Sequence, residues 1–200
     1  MNRQFVNWMI LVVMALIAIS ARLTLIHLYS MDLPYLDQWD QEARSLYIPF
    51  EEGTLGPSSL FQLFQQHRIF FTRITALGLY VANGQWDNRL QMVTSSLIYV
   101  AIIVAIARSL SLLLRNRHLT VIAFSCLLIV ACPYACENTL HGFQSQMYYV
   151  IAFSFGTLFL LLNNPPFSWR WNIDKKSLFR GTDTRPPACA CPHADRLEPV

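Results

Sequence analysis

The stretch Trp8-Met9-Ile10-Leu11-Val12-Val13-Met14-Ala15-Leu16-Ile17-Ala18-Ile19 decides the fold class, because it is unbroken by any polar residue. The apolar pattern continues through Leu23, Leu25, Ile26 and Leu28, interrupted only by Arg22 and His27 among charged or titratable residues. About 20 residues cross a bilayer at 1.5 Å per residue, so 5–28 is long enough for a membrane span. A cleaved signal peptide is the rival reading, with Arg3 as its positive start and Ala18-Ile19-Ser20 as small residues at a cleavage spacing. The apolar run extends past that site, which favours an uncleaved anchor. Arg22 and His27 then lie in the outer third of the span, where long side chains reach the headgroups.

Composition agrees with a membrane chain. Of 200 residues, 54% are hydrophobic and only 14% charged, against roughly 25% charged in average soluble domains. The net charge of +3 gives no reason to expect a nucleic-acid partner. The cysteines at 126, 132, 136, 189 and 191 form no regular disulfide framework.

Further spans are expected near 90–114, 119–132 and 146–162, giving an all-α polytopic transmembrane protein of about four spans. Residues 69–82 are less clear: Arg73 leaves about nine apolar residues before Asn83-Gly84, roughly half a bilayer, and the stretch reads as a juxtamembrane helix. Arg115 and Arg117 lie in a short loop without acidic neighbours and mark a cytoplasmic side. Four spans then put both termini in the cytoplasm. The segment 164–200 is rich in Pro, Cys and Arg, has no periodicity, and reads as a disordered cytoplasmic tail. Its Cys189, Cys191 and His193 match no zinc spacing and lack a fourth ligand.

The loop at 30–89 is far too long for a simple connector and contains seven of the twelve carboxylates. Pro34 is a helix-opening residue. At 100° per residue Leu36, Trp39, Ala43, Leu46 and Tyr47 share one side, and Asp37, Asp40, Gln41 and Arg44 another, as in a helix lying flat in the interface. A second short helix is expected over 57–66. Asp37 and Asp40, three residues apart, can share a water-filled site in which one pKa rises, as suits a general base acting on an acceptor hydroxyl. The plainer alternative is a solvated pair, with Asp40 bound to Arg44 at i, i+4.

His67, Arg68 and Arg73 form the basic counterpart. Arginine binds phosphate through a planar fork, and the anionic partner is a lipid headgroup, a substrate phosphate or one of the loop's acids. Asp87 and Arg89 are expected to cap and anchor the following span. In the second loop Glu137, His141, Gln144 and Gln146 are candidates to complete a site with the first, the alternative being a wet connector. No metal-ligand pattern, Gly-rich phosphate cradle, Ser-His-Asp set or internal repeat is present.

Tyr35-Leu36-Asp37-Gln38-Trp39-Asp40 resembles the acidic motif of the first outer loop in GT-C glycosyltransferases, the multi-span enzymes that include aminoarabinose transferases and protein O-mannosyltransferases. His67-Arg68-Ile69-Phe70-Phe71-Thr72-Arg73, Asn83-Gly84-Gln85-Trp86-Asp87-Asn88-Arg89-Leu90 and Glu137-Asn138-Thr139-Leu140-His141-Gly142-Phe143-Gln144-Ser145-Gln146 are similar to later segments of uncharacterised bacterial members. The resemblance covers about residues 1–163. It implies a bacterial inner-membrane glycosyltransferase that moves sugar from a polyprenyl-phosphate donor to an acceptor at the outer face. Asp37 and Asp40 would be catalytic; His67, Arg68, Arg73, Glu137 and Gln144 would bind substrate. Membrane lipid and the polyprenyl-linked sugar are the implied partners. The cofactor is unknown, a divalent metal bridging carboxylate and phosphate being compatible with the pair. Position 38 is Gln where many members have adjacent acids, so a base or metal role rests on Asp37 or Asp40. Family enzymes have many more spans, which implies an N-terminal portion whose later spans are replaced after 164 by truncation or a frame change. The reading from another class is a non-catalytic or truncated membrane protein that binds anionic lipid. A transporter is weakly supported, since no repeat or broken-helix pair is present.

Overall fold

The computed structural model describes residues 2–64, 67–114, 118–132 and 136–163, with the side chains of Phe64, His67 and Arg68 outside that description. The expected tail at 164–200 and the arginine-bearing segment at 115–117 therefore lie outside the described residues.

Three helices are long and apolar enough to cross a membrane: α1 (Arg3–Tyr29), α5 (Asn88–Leu113) and α8 (Ser145–Asn163) with the short 3-10 turn Gly142–Gln144 that leads into it. α6 (Leu119–Ala131) is apolar and shorter, and α7 (Cys136–Leu140) is a short helix in the second loop. The 13 residues of α6 extend about 20 Å, less than the roughly 30 Å of a hydrocarbon core. The protein is thus an all-α polytopic helical protein. Helix ends follow local chemistry: Asn2 accepts from the Gln4 N–H at the start of α1, and Asp87 accepts from the Leu90 N–H at 2.9 Å at the start of α5, the capping role expected of it. The chain divides into two compact units at Thr157/Leu158, and the described part of the second is the end of α8.

Within the first unit α1, α5 and α6 pack together around two apolar clusters. Leu11, Met14, Ala107, Leu119 and Ala123 form one, and Ala18, Val100 and Val130 the other. Leu11 meets Ala107 and Ala18 meets Val100, so α1 and α5 run antiparallel; α6 runs with α1. This up-and-down order brings the loops 30–87 and 132–144 to one end of the bundle.

Near that end Arg22 departs from expectation. Instead of reaching the headgroups it is buried, donating from Nε to Ser96 Oγ (3.2 Å) and from Nη2 to Tyr148 Oη (2.7 Å), with its guanidinium 4.7 Å from the Tyr99 ring centre. Hydroxyl and π acceptors on two neighbouring helices satisfy the cation inside the bundle, which removes the need for water.

The long loop is also built differently from the expected pattern. Pro34 opens no helix: Leu36 has φ of 46° in a turn, and the helix begins at Trp39. It is a π-helix over Trp39–Tyr47, whose i→i+5 bonding is seen in Ile48 N–H donating to the Ala43 carbonyl. Gln38 and Tyr47 would be about two and a half α-helical turns apart, on opposite faces. The wider turn brings Gln38, Glu42, Leu46 and Tyr47 to one buried face, while Trp39 stays 54% exposed. The π-helix runs into one turn, α2 (Ile48–Glu51).

The second expected helix is also shorter. α3 covers only Pro57–Leu60, and the chain then forms a two-residue antiparallel ladder, β1 (Leu63–Phe64) with β2 (His67–Arg68). α4 (Phe70–Asn83) follows, closed by Gly84 at φ 70°. Leu46, Tyr47 and Ala76, with Leu55, Leu60, Tyr80 and Trp86 around them, seal the loop onto α4.

Gly142 allows the closest approach. A Cβ there would lie 2.5 Å from Gln91 Oε1 and 2.7 Å from Asn88 Oδ1, whereas one on Gly78 in α4 would meet nothing within 4 Å. Gly142→Ala is expected to destabilise the protein by about 1–3 kcal/mol, and Gly78→Ala to stabilise it by up to about 1 kcal/mol. Thermal unfolding of both variants in the same detergent checks the contrast.

Candidate functional site

The loop-bearing end of the bundle has a buried polar floor and an exposed rim. The floor starts from Gln38, whose side-chain amide faces Glu42 Oε2 (3.3 Å), Asn88 Oδ1 (3.0 Å) and Gln91 Oε1 (3.3 Å). Gln38 Oε1 accepts from the Tyr35 N–H, holding the turn before the π-helix. Asn88 donates to the carbonyls of Met31 and Leu33, and Gln91 to Tyr47 Oη at 2.7 Å. Asn88 and Gln91 lie at i, i+3 in the first turns of α5 and so share a face; Gln38 and Glu42 meet them from the π-helix. The second loop closes over this floor at Gly142, whose carbonyl accepts from Ser95 Oγ.

Glu42 is the buried carboxylate of the loop. Only 2% of it is exposed, and Oε1 has no hydrogen-bond partner among the described residues. Burial raises its pKa to about 7 against the opposing pull of Gln91, Gln38 and Trp86. The same burial, reinforced by Glu42, pushes the Tyr47 hydroxyl up.

The rim carries the carboxylates that sequence reasoning favoured. Asp37 and Asp40 are both exposed, Asp37 in the turn and Asp40 in the π-helix, so they do not share the α-helical face expected of them. The widened helix and the left-handed Leu36 are the cause. The expected Asp40–Arg44 ion pair is not formed; among the described residues the ion pair is Arg89 with Asp32, at 2.6 Å and well exposed.

The turn that carries Asp37 meets the second loop through Tyr35. Tyr35 stacks on His141 with ring centres 4.7 Å apart, and Glu137 and Asp37 both raise the His141 pKa, while burial, the larger effect, lowers it. Burial therefore holds His141 below its ordinary value, against the pull of exposed carboxylates from two loops. Such a group can accept a proton and pass it to a carboxylate. Gln144, expected to complete a site with Glu137, has its Oε1 buried without a hydrogen-bond partner among the described residues.

Arg73 is buried and donates to the carbonyls of Ser59 and Gln62 and to Gln41 Oε1. It ties the loop segments together, and these neutral oxygens take the place of the anion expected for it. The His67 and Arg68 side chains lie outside the described residues. Among the described residues no group of three or more His, Cys, Asp or Glu side chains is arranged to hold a metal.

Sequence reasoning passed over Gln38, Glu42, Asn88, Gln91 and Gly142 as a set. The available signal was two polar pairs, at i, i+4 and i, i+3, each bordering an apolar helix. Comparison of the chain with family models, curated proteins and solved structures finds no match in any of the three.

A carboxyl with a raised pKa binds its proton more tightly in the folded chain. Between the unfolded value of 4.5 and the folded value of about 7, the native state holds more protons, so stability falls as pH rises through this window and is level above it. Glu42 is expected to contribute at most about 3 kcal/mol to that fall. Denaturation as a function of pH checks this; Glu42→Gln should remove the slope and be the more stable form above pH 7.

Proposed function

We propose that this chain is a membrane glycosyltransferase of the GT-C kind, transferring sugar from a polyprenyl-phosphate donor to an acceptor hydroxyl. The reaction site is the rim that carries Asp37 and His141, at the outer face of a bacterial inner membrane with both termini cytoplasmic. The observation that supports the reading is the stacking of Tyr35 on His141, ring centres 4.7 Å apart, which joins the turn carrying Asp37 to the second loop. This lies at the loop-bearing end of membrane-length helices, where a lipid-borne substrate meets water.

Asp37 takes the proton from the acceptor hydroxyl as its oxygen bonds to the anomeric carbon and the bond to the polyprenyl phosphate breaks. The proton remains on Asp37 until solvent removes it, and the leaving group departs as the phosphate anion. Arg68 is assigned to that phosphate; Arg73, whose two terminal nitrogens donate to Ser59, Gln62 and Gln41, holds the loop in place. Asp40, exposed on the π-helix, is assigned to acceptor binding.

Asp37→Asn is expected to lower transfer by about 100-fold or more without changing membrane insertion, and Asp40→Asn to raise KM with a smaller effect on kcat. Membranes containing each variant are supplied with a panel of polyprenyl-phosphate sugars, and release of polyprenyl phosphate is followed. Unchanged release by Asp37→Asn would overturn the assignment. Binding of anionic lipid without turnover by the unaltered chain would support the non-catalytic reading instead.

A further inference from the structure

One face of α4 docks on the protein and the other stays open. Ala76 packs with Leu46 and Tyr47, part of the apolar side of the loop helix expected in the interface, so that side is covered. On the opposite side of α4, Phe71 and Ile74 remain roughly half exposed, three residues apart and so on one face. Phe61 and Leu63, shortly before α4 in the chain, are exposed to a similar degree.

These side chains are joined to a membrane-length helix. The Phe61 ring stacks on Phe70 with centres 4.2 Å apart, Phe70 meets Phe71 at 5.3 Å, and Phe71 meets Tyr149 and Phe153 of α8 at 5.4 and 4.9 Å. Ser145 Oγ donates to Thr72 Oγ1, and the hydroxyls of Thr75 and Tyr149 are 2.7 Å apart, which fixes α4 against the first turns of α8. α4 is therefore inclined. Its Tyr80 end is held through Tyr47 beside Trp86, just before α5 begins, while its Phe71 end reaches Phe153, about 12 Å along α8 from Ser145.

Arg22, Ser96 and Tyr148 tie α1, α5 and α8 together at one level. Past that level α5 is apolar from Leu97 to Ala107 apart from the Tyr99 hydroxyl, and α8 exposes Val150 and Phe153. Exposed apolar side chains at this depth of a membrane-length helix face hydrocarbon. Phe71 is in contact with Phe153 and both are about half exposed, so they share one solvent.

We propose that the segment 61–74 is a wedge that inserts Phe61, Leu63, Phe71 and Ile74 among the acyl chains of the leaflet on the loop-bearing side. The 14 residues of α4 are too few to cross a bilayer, and insertion of its first turn does not require crossing. The surface is continuous with the lipid-facing side of α8, and its four exposed side chains are hydrocarbon, which acyl chains match and water does not. The ladder of β1 and β2 lies between Phe61 and Phe70 in the chain, so insertion brings it to the headgroup zone. The long loop is then held from two sides, by the buried Gln38 set within the protein and by lipid outside it. The proposal does not depend on the sugar-transfer reading, because its test needs no turnover.

The test uses the full chain in phosphatidylcholine nanodiscs that contain a phospholipid with a photoactivated carbene source in its acyl chain. Mass spectrometry of the unaltered chain is expected to find label on 61–74 and on 150–153 of α8, and none on 51–56, which Glu51 ties to the Tyr80 end of α4. A nitroxide is then placed by Leu63→Cys, Ile74→Cys, Val150→Cys or Glu52→Cys in a chain whose native cysteines are alanine. Oxygen is expected to relax the first three labels several-fold more than a nickel chelate does, and the order is expected to reverse at Glu52→Cys. Absence of lipid label from 61–74 while α8 is labelled would overturn the proposal. So would nickel access at Leu63→Cys and Ile74→Cys equal to that at Glu52→Cys, and access by neither reagent would overturn it in favour of a contact with a second copy. If the cysteine-free chain does not fold, the photolabel on the unaltered chain decides.

Discussion

The hydrogen bonds that join Gln38 to Asn88, Gln91 and Glu42 are the constraint on which the loop-bearing end of this protein depends. They are buried, so each polar group lost from the set leaves others without water to replace it. Through them the turn at Tyr35–Asp37, the π-helix and the first turns of α5 have a single arrangement. Gly142 then sets the second loop directly on this floor, because only a residue without Cβ fits above Gln91 and Asn88. The exposed groups at the rim acquire their positions from what is buried beneath them.

A second buried polar set works in the same way within the helices. Arg22 joins α1 to α5 through Ser96 and to α8 through Tyr148, with the Tyr99 ring beneath its guanidinium. The apolar contacts of α1, α5 and α6 are non-directional and tolerate sliding; hydrogen bonds to an arginine in a low-dielectric setting do not. Arg73 plays the corresponding part in the loop, joining Ser59, Gln62 and Gln41. Two arginines that by position alone suit headgroups or substrate are thus structural ties, and their surroundings differ from the expected ones because neutral oxygens and aromatic faces supply the acceptors.

The carboxylates divide by environment. Glu42 lies among amides and hydroxyls under the loop, where burial raises its pKa to about 7, while Asp37 and Asp40 face solvent. The turn that carries Asp37 is tied to the second loop by Tyr35 on His141 rather than to Asp40 three residues away. The pairing is between loops separated by about a hundred residues of chain, and it exists because antiparallel helices return both loops to the same end.

What the sequence by itself determined was the class of solvent and the main elements. Unbroken apolar runs such as 8–19 have no other stable use than burial in lipid or protein, so the membrane-length helices, the Asp87 cap and the stop at Asn83-Gly84 were legible from hydropathy and local chemistry. The π-helix was not, since an α-helical wheel puts Gln38 and Tyr47 on opposite faces and only their joint burial against α4 and α5 favours the wider turn. Nor were the partners of Arg22, Arg73 and Asp37, or the burial of Glu42. A charged residue's sequence neighbours limit what it can reach along one helix face; its solvation, and hence its protonation and role, depends on which distant elements pack over it. Tertiary structure alone decided that Glu42 is covered and Asp37 is not.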